Sequence, residues 1–303
     1  MAIVQKKGLY LADSTGADVS SKVAIFTLDG GGNPTGLATL GGVAVSGAAP
    51  SYTWATKPAV AAGNKNKYIV ITDLIETGGI ATLFQSDGAS TWQQQTIPRT
   101  TFAKAFASSN LKGTAGHRVI CTDIGLGGGI ELVSDGTNLR PATPSLLFKQ
   151  RYGTYAAPTL TKTGVNSWIF PLSPVLSLPA NLFYDGAAME FRAIFRKHTA
   201  TATARAVIYL GTAGDATDSL IFQTSITNAD GQQALAHPWV EFTGTTTAIS
   251  SSATVENNQS NTGALTLSTQ LNTAAAMIPS FGFDSANIAD TIDLVSVSCL
   301  WRY

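Results

Sequence analysis

A chain of 303 residues is longer than one ordinary compact domain and suits about two or three. Only 13% of it is charged and 44% is apolar, where an average soluble protein carries about 25% charge. That excludes a disordered chain and long solvated helices, and with 38 threonines and 29 glycines as neutral polar surface it leaves a β-rich, loop-rich protein. The formal net charge is zero, yet residues 1–199 carry 17 basic and 11 acidic groups, whereas residues 200–303 carry only Arg205 and Arg302 against eight carboxylates. Phosphate backbones are held chiefly by Lys and Arg, so no nucleic-acid partner is expected.

The segment Met1 to Lys7 lacks the apolar stretch of a signal peptide, roughly 7–15 residues. No window reaches the ~18 apolar residues of a membrane span, so membrane insertion is not expected. Cys121 and Cys299 stand far apart in alternating apolar runs, where buried unpaired thiols are expected, as in a protein made in a cytoplasm.

In chain order, residues 1–49 form a separate N-terminal segment, with strand-like Val23-Ala24-Ile25-Phe26 before Asp29-Gly30-Gly31-Gly32. Residues 50–142 hold an internal repeat. Tyr68-Ile69-Val70-Ile71-Thr72-Asp73 leads through Gly78-Gly79 to Leu83-Phe84-Gln85-Ser86-Asp87-Gly88; Arg118-Val119-Ile120-Cys121-Thr122-Asp123 leads through Gly127-Gly128-Gly129 to Leu132-Val133-Ser134-Asp135-Gly136. Each copy reads as strand, glycine turn, strand and an Asp-Gly turn suited to positive φ, followed by Trp92 or Leu139 at the matching place. The residues therefore predict two tandem β-hairpin modules. Between the hairpins, Thr101 to Ala107 spaces Phe102 and Phe106 for a short helix. Residues 143–165 read as an irregular linker punctuated by Pro144, Gly153, Pro158 and Gly164. Residues 166–303 then crowd in about eight strand-like runs. In the last, Val295, Val297, Cys299 and Trp301 are expected on one face. The predicted fold class is all-β, with N-terminal β-modules followed by a C-terminal jelly-roll or β-sandwich domain.

Signatures of chemistry are missing one by one. No Gly-x-Ser-x-Gly elbow and no Gly-Lys-Ser/Thr phosphate loop occurs. The cluster Gly125 to Gly129 puts Ile130 where a dinucleotide fingerprint needs its third glycine, and reads as turn chemistry. His117, His198 and His237 are too scattered for a zinc site. Asp215 and Asp218 share a loop with at most weak calcium affinity, and Asp290 and Asp293 flank the start of the last strand. No catalytic residue, metal or cofactor is therefore expected, with a carbohydrate-degrading enzyme as a remote alternative because paired carboxylates are not excluded by sequence. The tryptophans sit in or beside strand patterns and read as core. For contact with a partner the best candidate is the polar loop Ser250 to Gly263, and within it Glu256, Asn257, Asn258, Gln259, Ser260 and Asn261, whose side chains offer adaptable hydrogen bonding.

Taken together, the two Ser-Asp-Gly turns after Thr-Asp strands resemble small β-modules of bacteriophage tail and fibre proteins. Leu178-Pro179-Ala180-Asn181-Leu182 leading to Met189-Glu190-Phe191-Arg192, then Ala206 to Gly211 and Asp290 to Leu294, resembles the C-terminal jelly-roll domain of phage fibres. The resemblance covers residues 50–303. It implies a homotrimeric virion structural protein made in the host bacterial cytoplasm, joined to other virion proteins through residues 1–49. Two placements stay open: a short tail or baseplate fibre touching a bacterial surface receptor, and a head-decoration fibre bound to the capsid shell.

Overall fold

The computed structural model describes residues 49–77, 79–152, 159–161, 164, 167–172, 176–198, 203–226, 231–244, 248–251, 265–267, 271–285 and 287–302, with four short strand segments before them. The chain divides into two compact units, Met1–Thr96 and Ile97–Tyr303, so the two copies of the repeat belong to different units.

In the first unit, β1 (Thr27–Leu28) pairs with β2 (Pro34–Gly36) and β3 (Thr39–Leu40) with β4 (Val43–Ala44), as two antiparallel ribbons. Then comes a four-stranded sheet of β5 (Ser51–Tyr52), β6 (Tyr68–Ile71), β7 (Thr82–Ser86) and β8 (Trp92–Gln94), in that order. The period-two pattern sends Ile69, Ile71 and Phe84 inward, where Trp92 joins them and Trp54 lies 5.5 Å from the Phe84 ring.

The second unit opens with the same sheet built again, from β9 (Arg99–Thr100), β10 (Arg118–Cys121), β11 (Ile130–Ser134) and β12 (Leu139–Pro141). The predicted helix is α1 (Phe102–Ala107), with α2 (Ser109–Lys112) after it. Thr101 and Ser108 cap them, their side chains accepting from the Lys104 and Leu111 amides. In both copies the antiparallel hairpin has a further strand parallel to its first member, β5 beside β6 and β9 beside β10.

That extra strand, absent from the sequence-level reading, explains the Thr-Asp pair. Thr72 donates its amide and hydroxyl to the Tyr52 carbonyl, and Asp73 Oδ1 accepts from the Trp54 amide at 2.6 Å. Thr122 donates likewise to the Thr100 carbonyl, and Asp123 Oδ1 accepts from the Phe102 amide at 2.7 Å. Pro50 and Pro98 hold the same place, their carbonyls accepting from Val70 and Ile120. The following turns also match. Ser86 and Ser134 hydroxyls accept from Gly88 and Gly136 at 3.0 Å, and both glycines have positive φ, 77° and 100°.

Residues 143–165, expected as an irregular linker, contain two strands, and the expectation is corrected there. β13 (Ser145–Arg151) and β14 (Thr159–Thr161) both pair antiparallel with the final strand of the chain. Pro144-Ser145-Leu146-Leu147-Phe148 matches Pro50-Ser51-Tyr52-Thr53-Trp54 in kind, so the opening strand of the repeat recurs a third time with a different partner.

The remaining strands form a β-sandwich. They are β15 (Trp168–Ile169), β16 (Ala188–Lys197), β17 (Ala204–Gly211), β18 (Ser219–Ile226), β19 (Gln233–Ala236), β20 (Trp239–Phe242), β21 (Ala248–Ser251), β22 (Leu265–Leu267), β23 (Ile278–Ser285) and β24 (Thr291–Arg302). One sheet runs β13-β24-β16-β20-β21-β22, with β14 on β24 and β19 on β16; the other runs β15-β23-β17-β18. Consecutive β16 and β17 lie on different sheets and pair with β24 and β23, so two ribbons distant in sequence run together across both sheets, the winding from which jelly rolls are made. Phe191 and Phe148 meet Phe281 edge-on at 6.2 and 6.3 Å across the interior.

A bulge corrects the expected face of the last strand. On β16, Ile194 pairs with Ser296 and Phe195 with Leu294, skipping Val295. Val297, Cys299 and Trp301 point inward as expected, while Val295 is displaced from that face and is only half-buried. Both cysteines are buried free thiols, and burial pushes the Cys121 thiol up to about 12.

Replacing Asp123 by Ala removes the acceptor that ties the parallel strand to its hairpin. An expected loss of about 1–3 kcal/mol is read by urea unfolding, together with loss of hydrogen-exchange protection at the Phe102 amide. Asp73→Ala does the same at the Trp54 amide. Unchanged protection in both variants contradicts the clamp.

Candidate functional site

Alternation along β16 makes a site on the outward face of the large sheet. Met189, Phe191, Ala193 and Phe195 fill the interior, which turns Glu190, Arg192, Ile194 and Arg196 outward. Register with β24 and β20 brings Leu300 and Trp239 beside Glu190, and β19 brings Leu235 beside Ile194.

Glu190 is the centre. Its side chain is only 8% exposed, and its oxygens are saturated by three donors from three strands or their connections. Oε1 accepts from Arg192 Nε at 2.8 Å and lies 2.6 Å from His237 Nε2. Oε2 accepts from Arg302 Nε and Nη2 at 2.8 and 2.5 Å. Burial alone raises this carboxyl, but hydrogen bonds from His237, Arg302 and Arg192 outweigh it and hold Glu190 down to about 2.

A second cluster lies further along the same two strands. Asp293 accepts from Arg196 at 2.7 Å, from Thr159 at 2.6 Å and from His198. Here too burial raises the carboxyl and the hydrogen bonds prevail, leaving it below its ordinary range. Each carboxyl is held below its ordinary range by its hydrogen bonds and acts as an anchor for cationic side chains.

The other sequence candidates have structural work. Asp218 is buried and accepts from the Ala213 and Gly214 amides, and Asp215 caps its own turn through Thr217, so neither presents a calcium-binding arrangement. Asp290 is buried against Lys197 Nζ at 3.2 Å and takes a hydrogen bond from Ser285. His117 is buried with Nδ1 3.3 Å from the Asn110 carbonyl. Among the described residues no three His, Cys, Asp or Glu side chains gather as a metal site. Of the tryptophans, Trp92 and Trp301 are core, whereas Trp239, read as core from its strand pattern, is 36% exposed beside the Glu190 cluster.

Glu256, Asn257, Asn258, Gln259, Ser260 and Asn261 lie outside the described residues. The strands on either side of them, β21 and β22, pair antiparallel at the edge of the large sheet. Sequence reasoning missed the Glu190 cluster because its members come from positions 190, 192, 237 and 302. The one local signal was charge at three of the four outward positions of an otherwise apolar strand, Glu190, Arg192 and Arg196, with Ile194 between them.

No family model matches the chain, and no curated protein does. Among solved structures, that of the infectious bursal disease virus Gt strain is similar at 8% identity, over 75% of this chain and 44% of the other, with a TM-score of 0.24. The infectious bursal disease virus VP2 subviral particle is similar at 9% identity, over 61% of this chain and 46% of the other, with a TM-score of 0.22. The chain thus spans less than half the length of either, and likeness at these scores assigns neither fold nor function.

The pH response of the site follows from Glu190. A carboxyl lowered from 4.5 to about 2 on folding contributes stability that is fully present above its unfolded value and is lost as pH falls through the folded one. The contribution is roughly 3 kcal/mol. Urea midpoints are therefore expected to drop between about pH 4.5 and 2, and Glu190→Gln is expected to lower stability at pH 7 and flatten that slope. An equally steep slope in the variant removes Glu190 as its source.

Proposed function

We propose that this chain is a bacteriophage virion structural protein, a short tail or baseplate fibre that meets the host surface with its C-terminal sandwich. The observation carrying this reading is the serial all-β build. Small sheets, each closed by its own hydrogen bonds, precede a sandwich whose outward face gathers arginines, histidines and an exposed tryptophan around a buried carboxylate. Rigid modules of this kind suit a spacer, and a sheet face with anchored donors suits contact. The filled acceptor sites of Glu190 and the pairing of Asp293 with Arg196 and His198 favour a binding role over a hydrolytic one. In this reading the protein is a homotrimer made in the host cytoplasm, residues 1–49 fasten it to other virion proteins, and the sandwich faces outward. Trimerisation also accounts for how a chain with 13% charged residues covers its neutral surface.

Light scattering of the purified chain is expected to give about three times its 31.5 kDa, and a clean monomer at micromolar concentration contradicts the trimer. Gold-labelled antibodies to the sandwich are expected at the tail of intact particles, and soluble protein is expected to compete with phage for cells. Label over the head would instead make it a head-decoration fibre.

A further inference from the structure

We propose that the outward face of the large sheet around Trp239, Arg192 and Arg302 binds a carboxylated sugar unit of a bacterial surface polysaccharide. The inference deepens the host-attachment reading above and rests on it for the source of the sugar, while the recognition itself rests on geometry.

Charge is the first argument. Two guanidinium groups and a histidine converge on the single carboxylate of Glu190, which leaves that cluster one positive charge in surplus even with His237 neutral, offset only from the Arg302 end by Glu241. Both arginines commit Nε and Nη2 to Glu190. Among the described residues neither Nη1 is hydrogen-bonded, and the two side chains remain 59% and 42% exposed. The donors are thus held in place yet open to solvent, so much of the ordering cost of binding is already met. A planar guanidinium edge fits a carboxylate, and with Glu241 on the same face the site offers no surplus to hold a phosphate dianion.

Trp239 supplies the second argument. It stands directly across from Glu190 in the β16–β20 register, on the same face, and directly opposed side chains start about 4.5–5.5 Å apart. An indole directly across from the carboxylate that anchors the arginines offers a rigid apolar surface to the C–H groups of a sugar ring while a guanidinium takes the acid. Glu241, two residues on from Trp239 and on the same face, sets the direction. It repels a carboxylate from its own side and accepts from sugar hydroxyls, which leaves the acid at the Arg192 and His237 side. Arg192, Trp239 and Leu235 are each exposed along this face, as a long polysaccharide requires and a small-molecule pocket does not.

The test titrates the full chain with D-glucuronic acid, D-glucose and inorganic phosphate, followed by tryptophan fluorescence and saturation-transfer NMR. Glucuronate is expected to bind saturably, with glucose and phosphate at least about tenfold weaker. Trp239→Ala and Arg192→Lys are each expected to weaken glucuronate by about tenfold or more, measured on protein that retains a cooperative urea transition. Absence of saturable glucuronate binding, equal binding of glucose or of phosphate, or unaltered affinity in both variants overturns the site. The comparison of the three probes on the unaltered chain stands even if a variant fails to fold. Binding of labelled protein to host cells separates the two readings. Cell binding that Trp239→Ala leaves intact removes the sugar site and keeps attachment, whereas glucuronate binding without cell binding keeps the site and removes attachment.

Discussion

The pairing of β16 with β24 is the interaction on which the sandwich depends. It runs from Ala188 opposite Arg302 to Lys197 opposite Ile292, with one bulge, and lies at the middle of the large sheet. β13 and β14 add to the far side of β24, so the start of the second unit's sandwich is completed by its end. The inward side chains of the pair, Phe191, Phe195, Cys299 and Trp301, are fully buried. The outward ones place Arg302 on Glu190 and Arg196 on Asp293. Core and candidate site are two faces of one register, and a slip by one residue would exchange them. Lys197 and Asp290 mark the far end of the register with a buried ion pair, an arrangement that penalises misalignment because each charge needs the other there.

The repeat follows an opposite principle. Each copy closes through contacts between residues near in sequence. The central strand, its Thr-Asp pair and the strand after proline all lie within one copy. Such modules bear little loop-closure cost, whereas β13 and β14 find their partner only in the final strand. The third proline-led strand shows how one local sequence serves both principles. After Pro50 and Pro98 it joins a parallel neighbour in its own module, and after Pro144 it becomes an antiparallel edge of β24.

The chemistry of the outward face is that of anchored cations. Two carboxylates are buried enough to be costly alone, and each recruits an arginine and a histidine from neighbouring strands or strand ends. What results is a rigid set of donors on a flat surface.

Low charge, abundant threonine and glycine, and period-two runs such as Arg118 to Cys121 determined an all-β chain and located most of its strands, because alternation and turn residues are local properties. The repeat was legible for the same reason, down to the Ser-Asp-Gly turns, although its parallel strand was not, since two residues after a proline carry no period. Thr101 to Ala107 was legible as a helix from the spacing of Phe102 and Phe106. Tertiary structure alone decided that residues 145–151 are a strand, that Val295 drops out of its face at a bulge, and that Glu190, Arg192, His237 and Arg302 form one cluster. Each of these depends on which distant strand lies alongside and in what register, and cross-strand hydrogen bonding between remote segments leaves no periodic trace in either segment.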